Sequence, residues 1–156
     1  MGVSGCGKSS IGQRLADALK VPFIEGDSFH SIQNVAKMAA GTPLTDEDRA
    51  DWLQALKDQI RAAHQNNTGL VLSCSALKRR YRDLLRAGDP GLRFAHLAGS
   101  RELIATRMQA RTGHYMPLSL LDSQLAALEP LEADEAGLTL DIRRPPHDLV
   151  DTILQS

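Results

Sequence analysis

The chain has 156 residues, a length that suits one domain with a proper core, and at 42 % hydrophobic and 24 % charged it has the composition of a globular protein. A formal net charge of −1 leaves no basic surplus for nucleic acid as the main partner. Two distant cysteines, Cys6 and Cys74, with no C-x-x-C, exclude a zinc site built from cysteine alone, and no apolar run approaches the ~18 residues of a membrane helix, so a cytoplasmic protein with free thiols and no membrane partner is expected.

The chain opens on Gly2-Val3-Ser4-Gly5-Cys6-Gly7-Lys8-Ser9, which satisfies G-x-x-x-x-G-K-[ST] and is followed by Ser10. Ile11, Leu15 and Leu19 recur at helical spacing, predicting a helix over about 8–19. Val21 to Ile24 reads as a buried strand leaving through Glu25-Gly26-Asp27. Ser31 to Ala40 reads as a helix stopped by Gly41. Thr45-x-x-Asp48 starts a long helix with Trp52, Leu53, Leu56, Ile60 and Ala63 on its apolar stripe. Leu70 to Ser73 is the next strand, followed by a basic helix over about 78–86. Asp89-Pro90-Gly91 is a turn, and Arg93 to Leu97 a further strand. Ser100 caps a helix reaching Ala110, and a polar excursion follows to Pro117. Ser119-x-x-Asp122 is expected to cap the next helix. Leu138 to Ile142 is the last strand, and Pro146 sits where the first turn of a C-terminal helix accepts proline.

Strands separated by helices imply a parallel sheet covered on both faces. The expected fold is a three-layer α/β P-loop NTPase domain over residues 1–156, with a lid at about 111–117. A phosphate loop hangs from a buried strand directly before it. Only Met1 precedes Gly2, so the first strand is missing from this sequence. A short apolar strand is expected to be encoded upstream.

The loop has a defined chemistry. Its glycines let successive N–H groups point at phosphate oxygens, and the helix that follows adds its positive dipole end. Lys8 supplies charge to the β- and γ-phosphates of ATP, and the Ser9 hydroxyl is placed to bind Mg²⁺. Cys6 reads as a small side chain within the loop.

The loop alone does not separate GTPases, ATPases and kinases. There is no N-K-x-D guanine-reading motif, and Asp134-Glu135-Ala136-Gly137 matches D-x-x-G only in a late acidic loop. A small chain with arginines around 107–117 points to a kinase whose lid closes over the nucleotide. Asp27, just past a strand at the carboxyl end of the sheet, is placed to take the proton of an attacking hydroxyl. His30, Arg49, Lys78 and Arg82 could serve an anionic, hydroxylated acceptor. The basic run Lys78 to Arg82 suits a small anion better than a polyanion.

Further blocks are more specific. They are Gly26-Asp27-Ser28-Phe29-His30, Asn34-x-x-Lys37-Met38, Gly41-x-Pro43-Leu44-x-Asp46-x-Asp48-Arg49-x-x-Trp52-Leu53, Cys74-Ser75-Ala76-Leu77-Lys78-x-x-Tyr81-Arg82-Asp83, Arg107-x-x-x-Arg111-x-Gly113-His114, Ser123-Gln124 and Leu128-Glu129. With these the chain resembles the gluconate kinases, relatives of shikimate kinase. The resemblance implies ATP-dependent phosphorylation of D-gluconate at its terminal hydroxyl. It implies Lys8, Asp27 and Arg111 as catalytic residues. Gly2, Val3, Ser4, Gly5, Cys6, Gly7, Lys8, Ser9, Ser10, Arg107 and Arg111 would hold the nucleotide, with Ser9 on the metal. Asp27, His30, Arg49, Lys78, Arg82 and His114 would line the gluconate site. Members of the family are often dimers, so a homodimer is an open expectation. Glu25 departs from the aspartate common at its position. Another small-molecule kinase of the same fold, or a non-catalytic nucleotide-binding protein, remains the alternative at this point.

Overall fold

A computed structural model describes residues 1–110 and 117–156. In chain order the elements are α1 (Lys8–Leu19), β1 (Phe23–Glu25), α2 (Ile32–Ala39), α3 (Asp46–Asn66), β2 (Val71–Ser73) and α4 (Arg79–Arg86). They continue with β3 (Phe94–Ala98), α5 (Arg101–Ala110), α6 (Leu118–Ala127), β4 (Gly137–Asp141) and α7 (Pro146–Gln155). The exit from β1 is a short 3₁₀ turn, Gly26–Phe29, rather than an open loop. Among the described residues no helix is long and apolar enough to cross a membrane.

Local chemistry accounts for most of the helix ends. Ser31 caps α2 by accepting from the Asn34 N–H at 3.1 Å. Thr45 and Asp48 form a reciprocal capping box at α3, satisfying two otherwise unpaired N–H groups. Ser100 accepts from the Leu103 N–H at 3.2 Å at the start of α5. Pro146 occupies the first turn of α7, where a missing N–H costs nothing. One expected cap is corrected: α6 begins at Leu118 with Pro117 as its cap residue, so Ser119 lies inside the helix. Pro117 holds φ at −59° and offers its carbonyl to the Leu120 N–H at 2.9 Å, which starts the turn earlier.

The strands form two parallel pairs. β1 lies beside β2 with Phe23 opposite Val71 and Glu25 opposite Ser73. β3 lies beside β4 with Phe94 opposite Gly137 and Ala98 opposite Asp141. Among the described residues no strand lies between β2 and β3. Met1 and Gly2 stand at one end of that gap. The Met1 amino group donates to Ala95 O at 2.6 Å, Leu97 N donates to Met1 O at 2.9 Å, and Gly2 N donates to Ser75 O at 3.1 Å. A cavity of about 580 Å³ opens there, walled by residues of β2 and β3 such as Val71, Leu72, Phe94 and Ala95.

Alternation along β3 gives each face its own core. Phe94 joins a cluster with Trp52, Leu53, Leu56, Ile60, Tyr81 and Leu85 from α3 and α4. Leu97 joins the opposite cluster, with Ile11 of α1, Ile104 of α5, Leu121 of α6 and Leu149 of α7. Helices therefore cover both faces of the strands.

One buried ion pair ties α4 to the segment before β4. Arg82 is fully buried and donates through Nε and Nη2 to the two oxygens of Glu135, at 2.8 and 3.0 Å. Its remaining N–H groups go to the carbonyls of Ala76 (3.0 Å), Leu77 (3.3 Å) and Pro130 (3.3 Å). Such a pair is stable only with its hydrogen bonds complete, and here they are. The Arg82 guanidinium holds the Glu135 carboxyl down to about 2, against an ordinary 4.5. Burial lowers His96, on β3, from 6.5 to about 4.

Both shifts predict acid lability. A depressed carboxyl contributes stability that is complete above pH 4.5 and lost as pH falls toward about 2. His96 is buried neutral, so its contribution is complete above pH 6.5 and lost as pH falls through about 4. The urea midpoint should fall as pH drops from 6.5 to about 4 and go on falling toward about 2, most steeply where the two windows overlap between 4.5 and 4. Glu135→Gln, which leaves a buried guanidinium without its counter-charge, should cost about 3–5 kcal/mol at neutral pH by urea unfolding.

Candidate active site

The phosphate loop is held from behind by its own side chains. Val3 and Cys6 are buried in the core, so of these two residues only the main chain faces a ligand. Gly7, the cap residue of α1, has φ 99°, a left-handed conformation that favours glycine. No side chain caps α1, so its first-turn N–H groups, around Lys8, Ser9 and Ser10, are open to an anion. Lys8 curls back and donates from Nζ to Val3 O at 3.0 Å, which keeps its charge over the loop. The loop's outer limb is tied to α6, where Gln124 Oε1 accepts from Ser4 N at 2.8 Å. These are residues that fit a polyphosphate.

Beside the loop, Ser9 Oγ and Ser73 Oγ both donate to the Glu25 carboxylate, one to each oxygen. Ser73 Oγ in turn accepts from Gly26 N at 3.3 Å. The ends of β1 and β2 thus place a carboxylate against the hydroxyl at the start of α1. Among the described residues there is no group of three or more His, Cys, Asp or Glu side chains able to hold a metal. Ser9 with Glu25 suits Mg²⁺, which takes few protein ligands and completes its shell with phosphate oxygens and water.

A second cavity, of about 590 Å³, runs from the loop toward α2, α3 and α4 and is lined by Ser4, Lys8, Asp27, His30, Arg49 and Lys78 among others. The turn Gly26–Phe29 delivers Asp27 to it. That turn is fixed by close packing: a Cβ on Gly26 would lie 2.1 Å from Ser73 O. Trp52 Nε1 donates to Gly26 O at 2.8 Å and holds it from the other side. His30 stacks on Trp52 with ring centroids 4.1 Å apart. Its Nδ1 lies 3.4 Å from Asn34 Nδ2, so with Nδ1 accepting, the ring proton sits on Nε2. Burial pushes His30 below the ordinary imidazole value; Asp27 partly opposes this and Arg49 adds to it. His30 is therefore neutral at pH 7 and able to donate to a hydroxyl.

The basic run 78–82 is divided by the structure. Lys78 lines the cleft. Arg79 pairs with Glu132 and Asp134 on the surface, both at 2.6 Å, which accounts for the late D-x-x-G match. Arg80 pairs with Asp46. Arg82 does not serve an acceptor: its guanidinium is fully buried on Glu135 and Pro130 O, whereas Lys78 is the extended cap residue before α4. Arg107, expected at the nucleotide, is exposed and donates to Ile142 O at 2.9 Å. Arg111 and His114, and with them most of the expected lid, lie outside the described residues. Gln124, Ser73 and Asp46 carry parts of the site that had no assigned role in the sequence. Glu25 was legible there only as a departure from a family pattern.

A family model described as shikimate kinase matches residues 4–140. The thermosensitive gluconokinase of Escherichia coli (strain K12) is 45 % identical over 156 residues, covering 99 % of this chain and 82 % of that protein. The gluconokinase of Gluconobacter oxydans (strain 621H) is 44 % identical, covering 99 % and 87 %. The chain belongs to the gluconokinase family. Two solved structures agree with this family's fold. A gluconokinase from Sinorhizobium meliloti 1021 superposes with a TM-score of 0.87 at 45 % identity, covering 99 % of this chain and 87 % of its own. An unliganded sugar kinase from Janibacter sp. HTCC2649 reaches 0.95 at 50 % identity, covering 99 % and 90 %. The α/β P-loop kinase fold with parallel strands follows.

For a gluconokinase, the packing at Gly26 has a direct consequence. Gly26→Ala must push β1 away from Ser73 and carry Asp27 with it. A displacement of that size should lower kcat/KM by about 10²-fold in a coupled ADP-release assay.

Proposed function

We propose that this chain transfers the γ-phosphoryl group of ATP to the terminal hydroxyl of D-gluconate, giving 6-phosphogluconate. The observation that carries this reading is the convergence of Lys8 and Asp27 in one cleft that Arg49 and Lys78 also line. An acceptor that carries both a hydroxyl and a carboxylate fits that lining. The cations take the carboxylate, His30 donates to a hydroxyl between them, and Asp27 accepts the proton of the attacking hydroxyl. Lys8 and the open N–H groups of α1 hold the phosphates as charge moves onto the leaving ADP. Ser9 would hold Mg²⁺, which when bound would further neutralise phosphate charge.

A strand added in the gap between β2 and β3 would support this site. Among the described residues no strand pairs with the facing edges of β2 and β3, the gap has apolar walls, and Met1 bonds to β3 at its end. An extended apolar segment entering before Met1 would pair in parallel with both edges and hold the loop's start. Adding five or six β-branched residues there should raise Tm and tighten ATP binding, and a proline-containing segment should do neither. Equal melting of the two versions would refute this.

Asp27→Asn should lower kcat by about 10²–10⁴-fold with the fold unchanged. Lys8→Ala should lower kcat/KM by about 10²–10³-fold. Both are read with gluconate as acceptor, and rates with shikimate and nucleoside monophosphates separate this reading from its relatives. Faster turnover of either alternative acceptor would overturn it.

A further inference from the structure

Tyr81, on α4, is ringed by three cations. Arg49, Lys78 and Arg80 lie 5.5, 5.8 and 5.7 Å from its ring centre. The Asp46 carboxylate pairs directly with two of them, Lys78 and Arg80. The Tyr81 hydroxyl donates to it, the Arg80 guanidinium forms an ion pair with it, and Lys78 Nζ is 3.5 Å from Oδ1. Arg49 Nη1 donates to the same Tyr81 oxygen at 3.1 Å, so Asp46 also holds Arg49 at one remove. Asp46 lines the cleft together with Arg49 and Lys78. The capping box of α3 is built from Thr45 and Asp48, and does not need the Asp46 side chain. Asp48 is itself committed to Lys37 at 2.8 Å.

We propose that Asp46 is an internal stand-in for the acceptor's carboxylate. It holds Lys78 and, through Tyr81, Arg49 while the cleft is empty, and yields them to the incoming acid. This rests on reading the acceptor as a sugar acid. The physical consequence is a weakened affinity. A site whose cations are already partnered binds an anion with an apparent dissociation constant equal to the intrinsic one divided by the fraction of time they are free. A neutral polyol does not compete for those cations and escapes that cost. Asp46 is thus a positioning residue that sets KM and the release of an acidic product, rather than the phosphoryl-transfer step.

The test is Asp46→Asn, compared with Asp46→Glu as the version that keeps the charge. The expected result for Asn is a KM for gluconate lowered about threefold or more, with the change concentrated in KM. The inhibition constant of neutral D-glucitol should move less than about twofold, and Glu should restore the original KM. Acetate binding, followed by NMR titration, should tighten by a similar factor in the Asn variant. A gluconate KM that is unchanged or raised in that variant would overturn the proposal. So would equal tightening of glucitol, or a loss of Tm with no change in KM. Turnover of gluconate by the unaltered chain tests the acceptor reading separately. If that fails, the acetate comparison still decides the role of Asp46.

Discussion

Met1 exchanges two main-chain hydrogen bonds with β3 while Gly2 donates to Ser75 just past β2. At this junction the two halves of the sheet meet, and the functional geometry depends on it. The phosphate loop leaves from it, and α1 leaves from the loop. Lys8 refers back to it through Val3 O. Ser9 is set against Glu25, whose position follows from the pairing of β1 with β2. A shift at the junction moves the open end of α1 relative to Asp27. The transferring phosphoryl group and its acceptor would then part company.

The acceptor wall depends on a different kind of restraint. Its cations stand on α3 and α4, and α4 is anchored by a guanidinium with five satisfied N–H groups and no solvent contact. Burying that pair is not a large net source of stability, since desolvation offsets most of the attraction. Its value is positional, because a helix held in this way cannot roll without leaving a charge unpaired. Tyr81 and Lys78 are presented at a fixed angle as a result. Arg79 adds surface pairs to Glu132 and Asp134 on the same helix, each worth little when exposed.

Legibility followed the range of the interaction. The capping box at Thr45, the stop of α2 before Gly41 and the proline at the start of α7 are set by neighbours in sequence, and they lie where the sequence put them. Ser119 was misread because Pro117, with its fixed φ, starts the helix two residues earlier than the serine would. Arg82 and Lys78 stand four apart on one basic run, and residue type alone does not say which of them faces inward. The tertiary structure decides it: Lys78 is the extended cap residue before α4 and stays at the cleft, while Arg82, one turn on, is buried on Glu135. Gln124 is separated from Ser4 by 120 positions, and no local pattern connects them.

The sequence by itself determined the loop chemistry, the alternation of helices and strands, and the family through its middle blocks. Those depend on residue type at short spacing, where backbone freedom, capping and charge act directly. Only the tertiary structure decided which cations reach the acceptor, that Glu25 bridges Ser9 and Ser73, and that Asp46 stands among Arg49, Lys78 and Arg80. Each of these joins residues on separate elements. Their distances are set by how the helices pack on the strands, and the buried apolar clusters carry that information rather than the polar residues themselves.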